Sequence, residues 1–97
     1  MGDPMIHGYK GFAKVKDPEI RKAVETANRV LPVRLKGLRE TSGFSCGDVA
    51  AEIGCTTQAV SAYETGVQVP SLMALVALAA FYGVAVDELL WGEDAGE

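Results

Sequence analysis

Residues 54–66 read GCTTQAVSAYETG, which is the pattern of a tight turn followed by one short helix. Gly54 can adopt the left-handed backbone conformation that a turn requires, and Thr56 belongs to the residue types that cap helices. A second glycine closes the stretch, which predicts a helix over about residues 57–64. We expect Val60 to point into the core and the polar residues around it to face solvent.

A second short helix is predicted immediately before this turn. Ser45 can cap it, and Asp48 three residues later indicates a capping box in which Asp replaces the usual Glu. Val49, Ala50 and Ile53 would form its buried stripe. Two short helices joined by a glycine turn, each with one buried face, are typical of a helix-turn-helix motif.

Two more helices are predicted upstream of this motif. Asp17 as cap and Pro18 at the first helical position predict the start of an extension helix over residues 17–32. Pro32 predicts a boundary or a kink. A separate helix is then expected over about residues 33–42.

The downstream segment is unusually apolar. All eleven residues from Leu72 to Tyr82 are apolar, and we expect them to form one helix. A last short helix is expected over about Asp87–Trp91. The sequence thus predicts six helices and no strand. A helix that is apolar all round must be buried all round. We therefore expect the extension helix or a second copy of the chain to cover it, and the candidate dimer contacts are Met73, Val76, Ala77, Ala80, Tyr82 and Trp91.

Charge is distributed unevenly along the chain of 97 residues, whose net charge is −4. Residues 1–39 hold all nine Lys and Arg with four acids, whereas residues 40–97 hold nine acids and no Lys or Arg. We expect a flexible basic arm over residues 1–16 and an acidic tail over residues 92–97. The longest apolar run is too short to span a membrane and no signal peptide is evident, so a cytoplasmic location is expected.

Few residues are suited to metal binding or catalysis. Two Cys and one His cannot form a closed zinc site by themselves. We expect Cys55 to lie in the core and Cys46 to be an exposed thiol at a helix N-terminus. No nucleophile elbow, phosphate loop or paired base is evident, so we predict neither an enzyme nor a cofactor.

A family resemblance rests on three stretches of the sequence. Residues 35–66 read LKGLRETSGFSCGDVAAEIGCTTQAVSAYETG, and they are followed by Pro70-Ser71-Leu72 and by FYGVAVDELL at residues 81–90. Over about residues 33–91 the chain resembles the Cro/repressor-type (XRE) helix-turn-helix family. The resemblance implies an all-α, five-helix Cro/repressor-like domain, to which this chain adds the N-terminal helix and the basic arm.

The resemblance also implies roles for single residues. The base contacts would come from the exposed side of the recognition helix, at Thr57, Gln58, Ser61 and Ala62. Arg39 and Glu64 match a pair that ties the first helix to the end of the recognition helix. Backbone contacts are expected from residues near helix starts and from cations of the first half, namely Ser45, Cys46, Thr56, Arg34, Lys36, Lys10, Lys14 and Lys16.

Two functions remain open. The first is a sequence-specific DNA-binding transcriptional regulator that binds double-stranded DNA as a homodimer on a palindromic operator. The alternative is a helix-turn-helix scaffold for protein interaction, antitoxin-like or phage-regulator-like, with weak or no DNA binding. The absence of Lys and Arg after Arg39 favours the alternative, and the polar surface of the recognition helix favours DNA.

Overall fold

The computed structural model describes residues 15–91, which form helices and no strand. The helices of this part are α1 (Pro18–Ser42), α2 (Cys46–Ile53), α3 (Thr57–Thr65), α4 (Leu72–Tyr82) and α5 (Val86–Leu90). The predicted all-α, helix-turn-helix architecture is confirmed. Residues 1–14 of the predicted arm and the predicted tail, residues 92–97, lie outside the described residues.

The two helices predicted upstream are one continuous helix. We expected a boundary at Pro32, but α1 continues through it for another ten residues. A proline in a helix interior removes one backbone donor and crowds the preceding turn. Its ring has a packing role instead, since a Cβ on Gly66 would lie 3.5 Å from Pro32 Cγ. Leu31 and Leu35 are both buried, so core packing on both sides of Pro32 stabilises the helix there.

The helix ends lie close to where local sequence rules place them. Ser45 Oγ accepts the Asp48 N–H at 3.0 Å, and the Asp48 carboxylate accepts the Ser45 N–H at 2.9 Å, which confirms the capping box. Gly54 ends α2 with φ of 78°, a conformation that side chains with a Cβ rarely adopt. The N-caps predicted at Asp17 and Thr56 are confirmed by side-chain bonds to backbone N–H groups, and Ser71 caps α4 in the same way.

The core draws residues from all five described helices. Helix α3 packs against α1 and α2, α4 packs against α2 and α5, and α5 packs against α1. The predicted inward residues Val49, Ala50 and Val60 are buried, while Ile53 is half-buried. The buried cluster consists of Leu31, Leu35, Val49, Ala50, Val60, Tyr63, Leu78, Ala79 and Leu89.

Helix α4 is not covered on every side. We expected the extension helix or a second copy of the chain to bury it, and within one chain only Leu78 and Ala79 of α4 are buried. Leu72, Met73 and Val76 are 67%, 66% and 43% exposed. The extension helix therefore leaves this side of α4 open, and its coverage by a second copy of the chain stays a prediction. No helix in the described part of the chain is long and apolar enough to cross a bilayer.

Candidate nucleic-acid interface

The first turns of α2 and α3 are neighbours on the surface. A Cβ placed on Gly47 of α2 would lie 3.6 Å from Thr57 Oγ1 of α3 and 3.7 Å from Ser45 Oγ. The free N–H groups at a helix N-terminus, together with the helix dipole, favour negative charge. This surface therefore presents two helix N-termini side by side, an arrangement suited to a polyanion.

The candidate base-contacting residues share the outer side of α3. Thr57, Gln58 and Ser61 are exposed, and Ala62 is half-buried beside them. Within residues 15–91, no hydrogen bond holds the side chains of Gln58 or Ser61. A glutamine amide can bond bidentately to adenine, and a threonine methyl can contact the thymine methyl. These side chains are free to make such contacts.

An ion pair fixes α3 against the end of α1, as predicted. Arg39 Nε donates to Glu64 Oε2 at 2.7 Å, and Arg39 Nη2 donates to Glu64 Oε1 at 3.0 Å. Arg39 Nη1 also donates to the Phe44 carbonyl at 3.0 Å. The two side chains are only 15% and 6% exposed, and the bond to Glu64 raises the pKa of Arg39 above its usual range. Arg39 is thus an internal cation, with its donors directed at protein atoms.

The two cysteines differ from their predicted environments. Cys46 was expected to be exposed, but it is half-buried, and its Sγ lies 4.0 Å from Glu64 Oε1 as a weak donor. The Cys46 thiol therefore lies beside the ion pair of Arg39 with Glu64. Cys55 was expected in the core, but it is half-buried against it, and burial raises the pKa of its thiol. The side chain of Cys46, at the start of α2, points inward to Glu64 rather than outward. Sequence spacing alone does not reveal this direction.

The exposed cations of the described residues lie on α1 and just before it. Lys22, Arg29 and Lys36 are all exposed and are spaced by seven residues, so they follow one side of the helix. We call these three residues the α1 cation row. The spacing was present in the sequence but was missed, because two separate helices were expected. Lys16 is also exposed, whereas Lys10 and Lys14 lie outside the described residues.

Two other charged residues bear on phosphate binding in opposite ways, since Arg34 is a cation and Asp48 is an anion. Arg34 is half-buried on α1, and its buried Nε has no hydrogen-bond partner in the described part of the chain. Asp48 is exposed at the start of α2, and hydrogen bonds from Ser45 hold its pKa below the usual range. The Ser45 and Thr56 side-chain oxygens already accept backbone N–H groups. Attraction at this surface therefore depends on helix N-termini and on cations brought from the first half of the chain.

Four of the six candidate dimer contacts come together on α4. Met73, Val76 and Ala80 are exposed at spacings of three and four, with half-buried Ala77 among them, and we call these four residues the α4 stripe. Tyr82 lies elsewhere: it packs against Phe81, with ring centroids 5.0 Å apart, and joins the core. Trp91, 39% exposed, follows α5.

The position of Tyr82 predicts a loss of stability at high pH. Burial, with a smaller contribution from Glu64, raises its pKa to about 12, whereas an unfolded tyrosine ionises near pH ~10. The stability of the neutral phenol is therefore fully present below about pH 10 and is lost as the pH rises towards 12. We expect the free energy of unfolding to fall over this range by about 1–2 kcal/mol more than in Tyr82→Phe. Urea denaturation at several pH values measures this, and parallel pH curves for both proteins would contradict it.

Comparison with known families agrees with this geometry. A family model described as a helix-turn-helix domain matches residues 31–91, more than half of the chain. No curated protein and no solved structure matches the chain. Among residues 15–91, no group of three or more His, Cys, Asp or Glu is arranged to hold a metal ion. The chain belongs to the helix-turn-helix domain family found in XRE-like regulators, which indicates a DNA-binding regulator in general.

Proposed function

We propose that the protein is a sequence-specific DNA-binding transcriptional regulator that acts as a homodimer on a palindromic operator. The observation that carries this proposal is the outer side of α3, where Thr57, Gln58 and Ser61 are exposed and polar. The ion pair of Arg39 with Glu64 supports it, because a recognition helix must be held rigidly to place side chains against base edges.

Base recognition would come from the first half of α3 in the major groove. Gln58 is the candidate for adenine N6 and N7, and Thr57 for a thymine methyl. Ser61 and Ala62 lie one turn further along the same side and would complete the contact. A good bidentate pair discriminates between bases by about 1–3 kcal/mol, so Gln58 would carry the largest share of specificity.

Attraction to the phosphates would come from two sources. Backbone N–H groups at the starts of α2 and α3, near Ser45, Cys46 and Thr56, can bind phosphate oxygens without a cation. Phosphate contacts supply essentially all non-specific affinity, so cations are also needed. We assign them to the arm and to α1, at Lys10, Lys14, Lys16, Arg34 and Lys36.

The dimer would form through the α4 stripe. Exposed apolar side chains in a row are typical of an interaction surface, and symmetric homodimers are the commonest oligomers. In dimeric helix-turn-helix proteins the two recognition helices enter major grooves about one helical turn, ~34 Å, apart. The operator would then be roughly palindromic. We place the regulator in the cytoplasm, and its function requires neither a cofactor nor catalysis.

A second function is favoured by one specific observation. Arg39 is paired with Glu64, and no Lys or Arg follows it in the chain, so the region from α2 to α5 has no cation of its own. A helix-turn-helix scaffold used mainly for protein interaction, antitoxin-like or phage-regulator-like, needs no such cations. Its protein partner would use the α4 stripe.

Selection from pooled random duplexes at two salt concentrations tests the proposal. We expect enrichment of a motif with dyad symmetry, and an affinity that falls as salt rises because bound phosphates release counterions. No enrichment even at low salt would contradict the DNA-binding function and favour the scaffold. Enrichment of a motif without symmetry would contradict the palindromic operator but not DNA binding itself.

A further inference from the structure

An apolar groove lies between the first half of α1 and the helices α4 and α5. Its volume is about 320 Å³, and Asn28 is the only polar residue among those that line it. Two small residues of α1, Ala23 and Ala27, line it together with the larger Leu72 and Trp91. Both of these larger side chains are exposed, so the described part of the chain leaves the groove open to solvent.

The groove continues the α4 stripe. Leu72 lines the groove and lies four residues before Val76 of the stripe, so both are on the same side of α4. Across the groove, the apolar side of α1 extends to Ile20, which is 54% exposed and lies one turn before Ala23 and Val24. One apolar surface therefore runs from the α4 stripe across the groove to the start of α1.

The α4 stripe alone is too small for a stable dimer. A standard interface buries about 800 Å² on each partner and involves roughly 20–30 residues a side. The stripe has four residues, and two of them, Ala77 and Ala80, are alanines. A stable homodimer therefore needs further apolar surface, and the groove with the first half of α1 is the adjoining surface of that kind.

The apolar side of α1 is complementary to itself in an antiparallel pair. With a two-fold axis midway between residues 23 and 24, Ile20 of one copy lies opposite Ala27 of the other. Ala23 likewise lies opposite Val24. Large side chains then meet small ones, an arrangement that allows close interdigitation. The α1 cation row is offset from this side by two residues, about 200° around the helix, so the pairing does not oppose like charges.

We propose that the start of α1 from a second copy of the chain occupies this groove, with Ile20 of the partner subunit packed beside Ala27. The two α1 helices then lie antiparallel across the two-fold axis, and each fills the groove of the other copy. Trp91 is shielded by this contact. The inference rests on the homodimer of the proposed function, and it extends the interface of that dimer from the α4 stripe to α1.

Sedimentation velocity over a concentration series measures the dimer. Ile20→Glu is compared with the matched control Val33→Glu, because Val33 is also an exposed, β-branched residue of α1 but does not line the groove. We expect the dimer dissociation constant to rise by at least about 100-fold in Ile20→Glu, since the change buries an unpaired charge, and by less than about fivefold in the control. Far-UV circular dichroism checks that each variant is folded.

Two further measurements identify the contact itself. Trp91 is the single tryptophan and lines the groove, so its emission should shift to the red as the parent dimer dissociates on dilution. Ile20→Glu/Ala27→Lys should bind at least about tenfold more tightly than Ile20→Glu, because opposite charges then meet across the two-fold axis. Within one copy these two positions are about 10 Å apart, so they do not pair with each other.

Four results would overturn the inference. They are an unchanged dissociation constant in Ile20→Glu, an equal loss in Val33→Glu, Trp91 emission that stays constant while the dimer dissociates, and no recovery in the double variant. In each case the parent is still a dimer, so the homodimer of the proposed function stands. A parent that stays monomeric at every concentration would instead contradict that homodimer, and the inference with it. All measurements are made without DNA, so base recognition is tested separately.

Discussion

Replacing Arg39 with alanine is expected to lower the free energy of unfolding by about 2–4 kcal/mol, because breaking a buried ion pair leaves an uncompensated charge. Glu64 is only 6% exposed and takes two hydrogen bonds from Arg39. The same change removes the donor to the Phe44 carbonyl. For a domain of this size the melting temperature should fall by roughly 10 °C or more. Thermal and urea denaturation measure both quantities.

Two further variants separate the ion pair from other effects. Lys36→Ala removes an exposed cation of the same helix and should change stability by less than about 0.5 kcal/mol. Arg39→Met/Glu64→Met removes both charges and should be more stable than Arg39→Ala, since no buried charge remains unpaired. If Arg39→Ala had the same melting temperature as the parent, the ion pair would not hold α3 in place.

Replacing Lys10, Lys14 and Lys16 together with alanine is expected to weaken DNA binding by about 10- to 100-fold at moderate salt. Each phosphate contact contributes about 0.9 to the slope of log K against log salt, so the slope should fall by about 2–3. Phosphate contacts carry no sequence information, and the loss should be similar for operator and random duplexes. Fluorescence anisotropy titrations over a salt series measure the affinity and the slope.

The α1 cation row supplies the matched comparison for the arm lysines. Lys22→Ala/Arg29→Ala/Lys36→Ala removes the same number of charges from exposed positions. We expect this triple variant to lose less affinity, because only Lys36 of the three is assigned to the backbone. An unchanged salt slope in the arm variant, with a reduced slope in the α1 variant, would show that α1 makes the phosphate contacts and that the arm does not.

The parts of the fold that depend on local rules were predictable from sequence. Capping residues such as Ser45 and Thr56, together with the closing glycines, determine where helices begin and end within a few residues. The pairing of Arg39 with Glu64 came from family resemblance and is present in the structure. The exposed position of Gln58 followed from the short helix and its inward Val60.

The parts that depend on tertiary packing were not predictable. A proline predicts a break, but Pro32 stays inside α1 because its ring packs near Gly66 and core residues hold the helix on both sides. The apolar composition of α4 predicted burial but not which surface would supply it, and within one chain Met73 and Val76 remain exposed. Cys46 turns towards Glu64, a contact between residues far apart in sequence. The apolar groove lined by Ala27, Leu72 and Leu90 also arises only when α1, α4 and α5 are assembled.

The central claim is that α3 reads DNA bases, and Gln58→Ala tests it most directly. The measurement is the affinity of parent and variant for the selected operator and for duplexes with one base pair changed in turn. We predict that the variant loses about 1–3 kcal/mol on the operator and no longer discriminates at one base pair of each half-site, while its salt slope is unchanged. Equal discrimination by parent and variant at every position would contradict the account.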